Sequence, residues 1–297
     1  MIKRVLSHLL LAAPLLCSVF GMTAQTETGP RSIQVQERGI TAKSVHVSNG
    51  DRILQKPYYQ YGQQLYIVFE ELEGLVREND QMHPNLDITL VSKQGDTLFS
   101  EQNLYGPDNS VAGIPDTSFE FSIQLSNSVT SNGAYTMYGT VRDTKSSNEM
   151  EFLLDFNVVQ NPDITAIPEG LNYADVFLES NDRNRIVTNN VIYKNEMVSL
   201  SLKEVSGYLV KDGKVNLRMD YTVTEASGAV VLERSGYTIK SGDPSEMKTV
   251  PVACSFNLGE ADNPNFDSQA SLRLTAEITD MNSDAKVKVS TKLYVIE

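Results

Sequence analysis

The stretch "YGQQLYIVFEELEGLVREND" (residues 61–80) has a second copy, "KNEMVSLSLKEVSGYLVKDG" (residues 194–213), at an offset of 133 positions. Glu71 aligns with Glu204 and Gly74 with Gly207, and apolar and polar residues alternate at the same places in both copies. Self-similarity at a fixed offset is the sequence mark of a repeated structural unit. The chain is therefore predicted to contain two related modules.

The duplication extends outward from this pair of segments. At the same offset, the alternating residues 119–125 align with 252–258. Beyond residue 130 the offset becomes 137, and residues 135–160 align with 272–297, so the second copy has gained four residues, which we assign to 259–267. The alignment sets module 1 at 38–160 and module 2 at 172–297. The proline-containing segment 161–171 is predicted as a linker, and residues 25–37 as a flexible leader.

The dominant hydrophobic period in both modules is two, which is typical of half-buried strands. In module 1 it predicts seven strands, near 42–47, 64–70, 86–91, 96–101, 118–125, 134–142 and 149–158. The predicted fold class is all-β, with two tandem antiparallel β-sandwiches. Seven short strands in about 120 residues resemble the immunoglobulin and fibronectin III sandwiches. The resemblance is one of strand pattern over both modules, without the Trp and Cys pair of antibody domains, and transthyretin-like sandwiches are the alternative.

The N-terminus is predicted to direct export. Lys3 and Arg4 precede an apolar run over residues 5–20, followed by small and polar residues. This order is that of a secretory signal peptide, which we assign to residues 1–24 with cleavage after Ala24. We found no later segment apolar enough to cross a membrane. The mature chain is therefore expected in the periplasm or at the outer cell surface.

The charge balance restricts the partners that the chain can bind. Its formal net charge is −13, and removal of Lys3 and Arg4 with the signal peptide makes it −15. Such a chain repels phosphate backbones and anionic lipids, so nucleic acid is not an expected partner. Only Cys254 remains in the mature chain, and we expect a buried, inert thiol. No nucleotide-loop, GxSxG or HExxH motif is present, so neither a cofactor nor catalysis is expected.

The acidic run in residues 70–80 is interpreted as the solvated end of a strand. A cation or partner contact and a catalytic carboxylate pair are the alternatives. Copy two keeps only Glu204, and the sequence supplies no second, buried carboxylate of the kind that a catalytic pair needs. The shared glycine is predicted to occupy a position with positive φ.

A candidate partner surface follows from a head-to-tail order of the modules. In that order, loops 204–218 and 280–285 of module 2 abut module 1, and loops 71–85 and 143–148 of module 1 are free. Loops carry binding function more often than scaffolds do. The candidate contact residues on the free loops are Glu71, Glu73, Arg77, Glu78, Asp80, His83 and Asp143.

Two further motifs have competing interpretations. Tyr58, Tyr59 and Tyr61 in "PYYQYGQQLY" (57–66) suit strand packing, a protein contact or a glycan platform. The segment "DMNSD" (280–284) places Asp280, Asn282 and Asp284 as at the start of a calcium loop. Copy one reads "DTKSS" (143–147) there, so we favour a hairpin turn and expect no metal site.

The function predicted from these observations is non-enzymatic. The chain would be an exported envelope protein that binds or scaffolds other proteins, as an accessory, adhesion or assembly subunit, through sandwich loops and edges. The alternative is a glycan- or cell-wall-binding protein. A hydrolase with a site between the modules is the third hypothesis.

Overall fold

The computed structural model describes residues 33–106, 111–112, 118–248, 250–261, 266 and 271–296. The predicted signal peptide lies outside these ranges. So do residues 262–265 and 267 of the segment 259–267, to which the gain of four residues was assigned. The described chain is all-β, with two short 3₁₀ helices at Pro244–Lys248 and Leu258–Glu260. No helix among these residues has the length and apolar character needed to cross a bilayer.

Module 1 consists of two facing sheets and a small three-stranded ribbon. The larger sheet has the order β1 (Ile33–Arg38), β12 (Glu149–Val159), β11 (Ala134–Asp143), β7 (Pro84–Ser92) and β8 (Thr97–Glu101), and β3 (Tyr58–Gln60) pairs in parallel with β12. The smaller sheet has the order β10 (Phe119–Gln124), β4 (Gln64–Glu70) and β2 (Ser44–Ser48). The ribbon contains β5 (Arg77–Glu78), β6 (Gln81–Met82) and β9 (Val111–Ala112).

Module 2 repeats this strand order. Its larger sheet is β13 (Ile164–Glu169), β22 (Lys286–Ile296), β21 (Ser271–Asp280), β18 (Val215–Thr224) and β19 (Val230–Gly242), with β16 (Val191–Tyr193) parallel to β22. Its smaller sheet is β15 (Arg185–Ile186), β14 (Asp175–Ser180), β17 (Met197–Lys203) and β20 (Val252–Asn257). The predicted duplication is thus visible as one strand order used twice.

Alternating burial explains why these segments form strands. In β4, Leu65, Ile67 and Phe69 are fully buried while the residues between them are partly exposed. Successive strand side chains point to opposite faces, so one face of a strand such as β4 enters the core. Each module has its own hydrophobic cluster. All seven strands predicted for module 1 are confirmed, and the fold is a pair of antiparallel β-sandwiches.

The short strands β3, β5, β6 and β9 of module 1 were not predicted, and β5 and β6 lie within the predicted loop 71–85. Two longer segments, predicted as leader and linker, are also paired strands. Residues 33–37 of the predicted leader belong to β1, which pairs antiparallel with β12. Residues 164–169 of the predicted linker form β13, which pairs with β22 and includes Pro168. Both are edge strands, which tolerate proline and expose much of their length. Their weak patterns concealed them, so these two predictions were wrong over those residues.

The modules contact each other through the small sheet of module 2. Phe177 on β14 packs against Tyr61 with ring centroids 5.3 Å apart, and it belongs to the hydrophobic cluster of module 1. Lys203 Nζ donates to the carbonyl oxygens of Asn127 (2.9 Å) and Val129 (3.3 Å). Loops 204–218 and 280–285 of module 2 were predicted to contact module 1. This prediction is wrong for the outer parts of both loops, which expose large apolar side chains described below.

A buried carboxylate lies in this contact. Asp175 is 1% exposed, and its Oδ1 accepts a hydrogen bond from Ser131 N at 2.7 Å. Its Oδ2 has no hydrogen-bond partner among the described residues. Burial raises the pKa of Asp175, and Glu204 adds to this, whereas the bonds from Ser131 and the charge of Lys203 partly offset it. The carboxylate is thus held in a site that favours its protonated form.

The raised pKa of Asp175 predicts that stability changes with pH in a specific direction. A group whose pKa is higher in the folded state stabilises the fold most below its unfolded value, here 3.8, and this contribution is lost as the pH rises through the raised value. We expect Asp175→Asn to raise the urea midpoint of unfolding at pH 7. As the pH falls from 7 to 4, the midpoint of the variant should gain less than that of the parent protein. Urea unfolding at pH 4 to 7, with the exposed Asp51→Asn as charge control, measures both. An unchanged slope in Asp175→Asn would contradict this assignment.

Matched residue pairs fill equivalent core positions in the two modules. Gly139 lies opposite Phe152 in module 1, and Ala276 lies opposite Val289 in module 2. A Cβ at position 139 would overlap the ring of Phe152, which is 3% exposed. The ring of Phe152 in copy one therefore fits because Gly139 opposite it has no Cβ.

This pairing predicts a non-additive double substitution. We expect Gly139→Ala to lower the free energy of unfolding by about 1 to 3 kcal/mol through overpacking. Phe152→Val alone leaves a cavity and is also destabilising. Combining them recreates the pair found in module 2, so the double variant should lose less stability than the two single losses added together. Chemical denaturation of the four proteins tests the coupling, and strict additivity would refute it.

Candidate functional site

A buried aspartate fixes the hairpin at the tip of module 2. Asp280 is fully buried, and its Oδ2 accepts hydrogen bonds from Leu209 N (2.8 Å) and Ser283 Oγ (2.6 Å). Its Oδ1 accepts a bond from Asn282 N at 3.1 Å. The carboxylate therefore ties the β21–β22 hairpin to the loop that follows β17.

Module 1 contains the same arrangement. Asp143 is 3% exposed, and its Oδ2 accepts from Val76 N (3.1 Å) and Ser146 Oγ (2.6 Å), while Oδ1 accepts from Lys145 N at 3.2 Å. We call this arrangement the aspartate clamp. Asp143 was predicted as a partner contact, but its buried carboxylate is engaged inside the module, so that prediction was wrong.

The clamp also accounts for the calcium-like segment. The Asp280 carboxylate accepts protein donors, and Asn282 Nδ2 donates to the carbonyl oxygens of Leu209 (3.0 Å) and Lys214 (3.3 Å). Asp284 is exposed at the hairpin surface. Within the described ranges, no group of three or more His, Cys, Asp or Glu side chains is placed to hold a metal ion. These contacts assign the segment a structural role in the turn.

The loop after β4 and β17 has the same backbone in both copies. Gly74 and Gly207 have φ of +92° and +82°, as predicted, and a Cβ on either would overlap a carbonyl oxygen, that of Gly39 or Gly170. The shared glutamate, Glu71 in copy one, also has a positive φ. These features hold the loop against the segment that follows β1 or β13.

The predicted partner loops of module 1 form a charged surface, which we call the acidic tip. Its exposed members are Glu71, Glu73, Arg77, Glu78 and Asp80, and His83 is half-buried. Lys43 pairs with Glu71, and Lys145 Nζ lies 3.3 Å from Glu78 Oε2. Exposed pairs of this kind add little stability. The geometry is that of a solvated strand end with its acids largely at the surface.

The three tyrosines do not share a surface. Tyr58 is 60% exposed, whereas Tyr59 is buried against Phe156 with ring centroids 5.6 Å apart, and Tyr61 is buried against Phe177 in the module contact. Tyr58 and Tyr59 are consecutive in β3 and therefore point to opposite faces of the sheet. Tyr61 lies apart from both, in the contact between the modules. The prediction that Tyr59 and Tyr61 contact a partner was therefore wrong, and their role is packing.

The tip of module 2 exposes three large apolar side chains. Leu209, Val210 and Met281 are 51%, 44% and 47% exposed, and we call them the apolar tip. Besides the aspartate clamp, Met281 N donates to Asn216 O at 2.8 Å. Sequence reasoning missed this surface because it placed these loops in the module contact. The signal was the apolar pair within the turn-rich "GYLVKDG" (207–213).

Cys254 lies on the inward face of β20 and is 2% exposed, as predicted. Burial raises the pKa of its thiol to about 11, and the bond with Tyr221 opposes this only in part. At neutral pH the sulfur is protonated, which is the unreactive form. The residue behaves as a small apolar side chain of the core.

Comparisons with known proteins add only distant similarities. No family model matches the chain, and no curated protein matches it either. Among solved structures, the C-terminal domain of Wzt aligns with 44% of this chain and 80% of its own length, at 11% identity and a TM-score of 0.31. A putative β-galactosidase from Bacteroides fragilis aligns with 88% of this chain and 41% of its own length, at 10% identity and a TM-score of 0.27. A red sea bream transglutaminase aligns with 86% of this chain and 31% of its own length, at 10% identity and a TM-score of 0.24.

The aspartate clamp predicts different effects for two neighbouring acids. We expect Asp280→Ala to lower the free energy of unfolding by about 2 to 3 kcal/mol, because the substitution removes the buried acceptor of three hydrogen bonds and leaves their donors without it. Asp284→Ala, at the exposed position of the same turn, should change it by less than about 0.5 kcal/mol.

Thermal unfolding of both variants and the parent protein, with excess calcium or with chelator, measures these effects. Calcium should leave all three midpoints unchanged. A calcium-induced rise that disappears in Asp284→Ala would overturn the structural assignment of the segment.

Proposed function

We propose that this chain is an exported, non-enzymatic protein of the cell envelope that binds or scaffolds other proteins through the loops of its two sandwiches. The order of charge and hydrophobicity in residues 1–24 supports export to the periplasm or the outer surface. The duplicated sandwich supports a binding role because it positions several sets of loops on one rigid scaffold.

We further propose that both modules are of the immunoglobulin type. In module 1 the small sheet groups β2, β4 and β10, and the large sheet groups β7, β8, β11 and β12. If β2 is taken as strand A, this is the division of A, B and E from C, F and G in that fold. The parallel pairing of β3 with β12 recurs in module 2 as β16 with β22.

The apolar tip is the observation that carries the binding proposal. Exposed apolar side chains grouped on fixed loops are typical of protein contact sites. Here the aspartate clamp and the bond from Met281 N hold both loops in place, so little conformational entropy would be lost on binding. Copy one has Val76, Arg77 and Thr144 at these positions, so the apolar character is particular to module 2.

The acidic tip is proposed as a second contact, as the sequence predicted. Glu73 and Asp80 are exposed there beside the paired Glu71 and Glu78. A charged rim of this kind affects the rate and specificity of association more than its strength. The hydrolase hypothesis is not favoured: Asp175 in the module contact accepts a hydrogen bond from Ser131, and the charged groups that shift its pKa are Lys203 and Glu204, with no histidine among them.

The test is a cross-linked pull-down of the mature protein from its own solubilised envelope, read by mass spectrometry. Moderate salt is needed because a charge of −15 attracts basic proteins non-specifically. The test variant Val210→Arg/Met281→Thr carries the residues of copy one. We expect one or two stoichiometric partners, with recovery falling about tenfold or more in this variant.

The mirror variant Thr144→Met in module 1 leaves every residue of the acidic tip unchanged, so it is the matched control and should retain the partners. Equal recovery by both variants, with cross-links confined to residues 71–85, would move the contact to the acidic tip. The absence of any stoichiometric partner would count against the protein-binding function itself.

A further inference from the structure

The outer face of the large sheet of module 2 carries an open groove of about 390 Å³. It crosses β13, β22, β21 and β18 and ends at β19. A volume of this size is within the range of small-molecule binding sites. The groove lies on neither tip and takes no part in the module contact described above.

The floor of the groove is a row of hydroxyl groups. Thr165, Ser290, Thr275 and Thr222 lie in register on four adjacent strands. Neighbouring strands are about 4.8 Å apart, so the row extends over roughly 14 Å. Each hydroxyl can both donate and accept a hydrogen bond, and that of Thr275 donates to the carbonyl oxygen of Thr222 at 3.4 Å. Arg273 Nη1 donates to Ser290 Oγ at 3.3 Å, which helps to orient that hydroxyl.

Module 1 shows what fills the same face when the side chains are larger. The positions equivalent to Ser290 and Thr275 are Leu153 and Tyr138, which lie opposite each other on β12 and β11. Tyr138 is 44% exposed on this face of the sheet. The open space in module 2 therefore depends on two small hydroxyl residues at positions where copy one has bulk.

The charged groups beside the row neutralise one another. Lys288 Nζ lies 2.7 Å from Glu169 Oε1, and Lys286 Nζ lies 3.2 Å from Glu277 Oε2. Asp220 accepts from Arg218 Nη2 at 3.1 Å and from Gly236 N at 2.6 Å. The two remaining charged lining residues, Glu233 and Arg234, have opposite signs, so the wall of the groove is close to neutral, which suits a ligand without net charge.

An apolar side chain completes the groove at its β13 edge. Ile167 is 54% exposed and lies next to Lys288 in the pairing of β13 with β22. A pyranose ring combines an apolar face of C–H groups with a rim of hydroxyls. We propose that the groove binds a short segment of a neutral polysaccharide, with its hydroxyls on the Thr and Ser row and one ring face against Ile167.

This proposal gives the chain a glycan site distinct from the tyrosine platform that the sequence suggested. It does not depend on the protein-binding function, because the apolar tip and the groove use different residues. The two functions can therefore fail separately.

The test is native affinity electrophoresis in gels that contain soluble mixed-linkage β-glucan, galactomannan or dextran, with alginate as the charged control. We expect the mature protein to be retarded by at least one neutral polysaccharide and not by alginate. The test variant Thr275→Tyr/Ser290→Leu installs the residues of module 1 and should reduce retardation at least about tenfold, since it fills the groove.

Three controls keep the result interpretable. Tyr138→Thr/Leu153→Ser makes the reverse exchange in module 1, and Val210→Arg/Met281→Thr alters the apolar tip, and both should remain retarded. Thermal unfolding checks that each variant is folded, and Thr275→Tyr alone serves if the double variant is not. No retardation of the parent protein in any neutral gel, retardation only by alginate, or full retardation of the filled-groove variant would each overturn the proposal.

Discussion

Burial of one face of the inner strands between two sheets is the constraint on which both modules depend. Because strand side chains alternate strictly, a slip of one residue would turn a whole apolar set towards water. The two copies have accordingly kept the alternation of β4 and β17 while keeping few identical residues. The equivalent strand orders of the large sheets follow from this shared register.

The same constraint explains how much of the structure could be predicted. Strands buried on one face, such as β4, β7 and β12, carry a strong period of two and were found from sequence. The edge strands β1 and β13 were missed because one side of each has no neighbour in its sheet and their burial is partial. The placement of Tyr61 and of the apolar tip depends on how the modules meet, and no local pattern records that contact.

Duplication separates what the scaffold requires from what each copy does with it. The aspartate clamp and the left-handed glycine occur in both modules, so they belong to the fold. The acidic tip, the apolar tip and the hydroxyl-lined groove each occupy positions where the copies differ. The core also differs locally between the copies. Gly139 and Phe152 in module 1 occupy the positions of Ala276 and Val289 in module 2.

Phe177 has a consequence for the integrity of the chain. It is encoded in module 2 but contributes to the hydrophobic cluster of module 1, and only four residues separate β12 from β13. Asn161 in this joint is buried and donates to Asn190 Oδ1 at 2.9 Å. Cleavage at the joint would leave a cavity beside Tyr61 in the module 1 fragment, where Phe177 packs in the intact chain. In the module 2 fragment, the ring of Phe177 would be exposed to water. The two sandwiches derive from one repeated unit, but they are no longer independent domains. Proteolysis between them would leave two fragments that each expose apolar surface and would tend to aggregate.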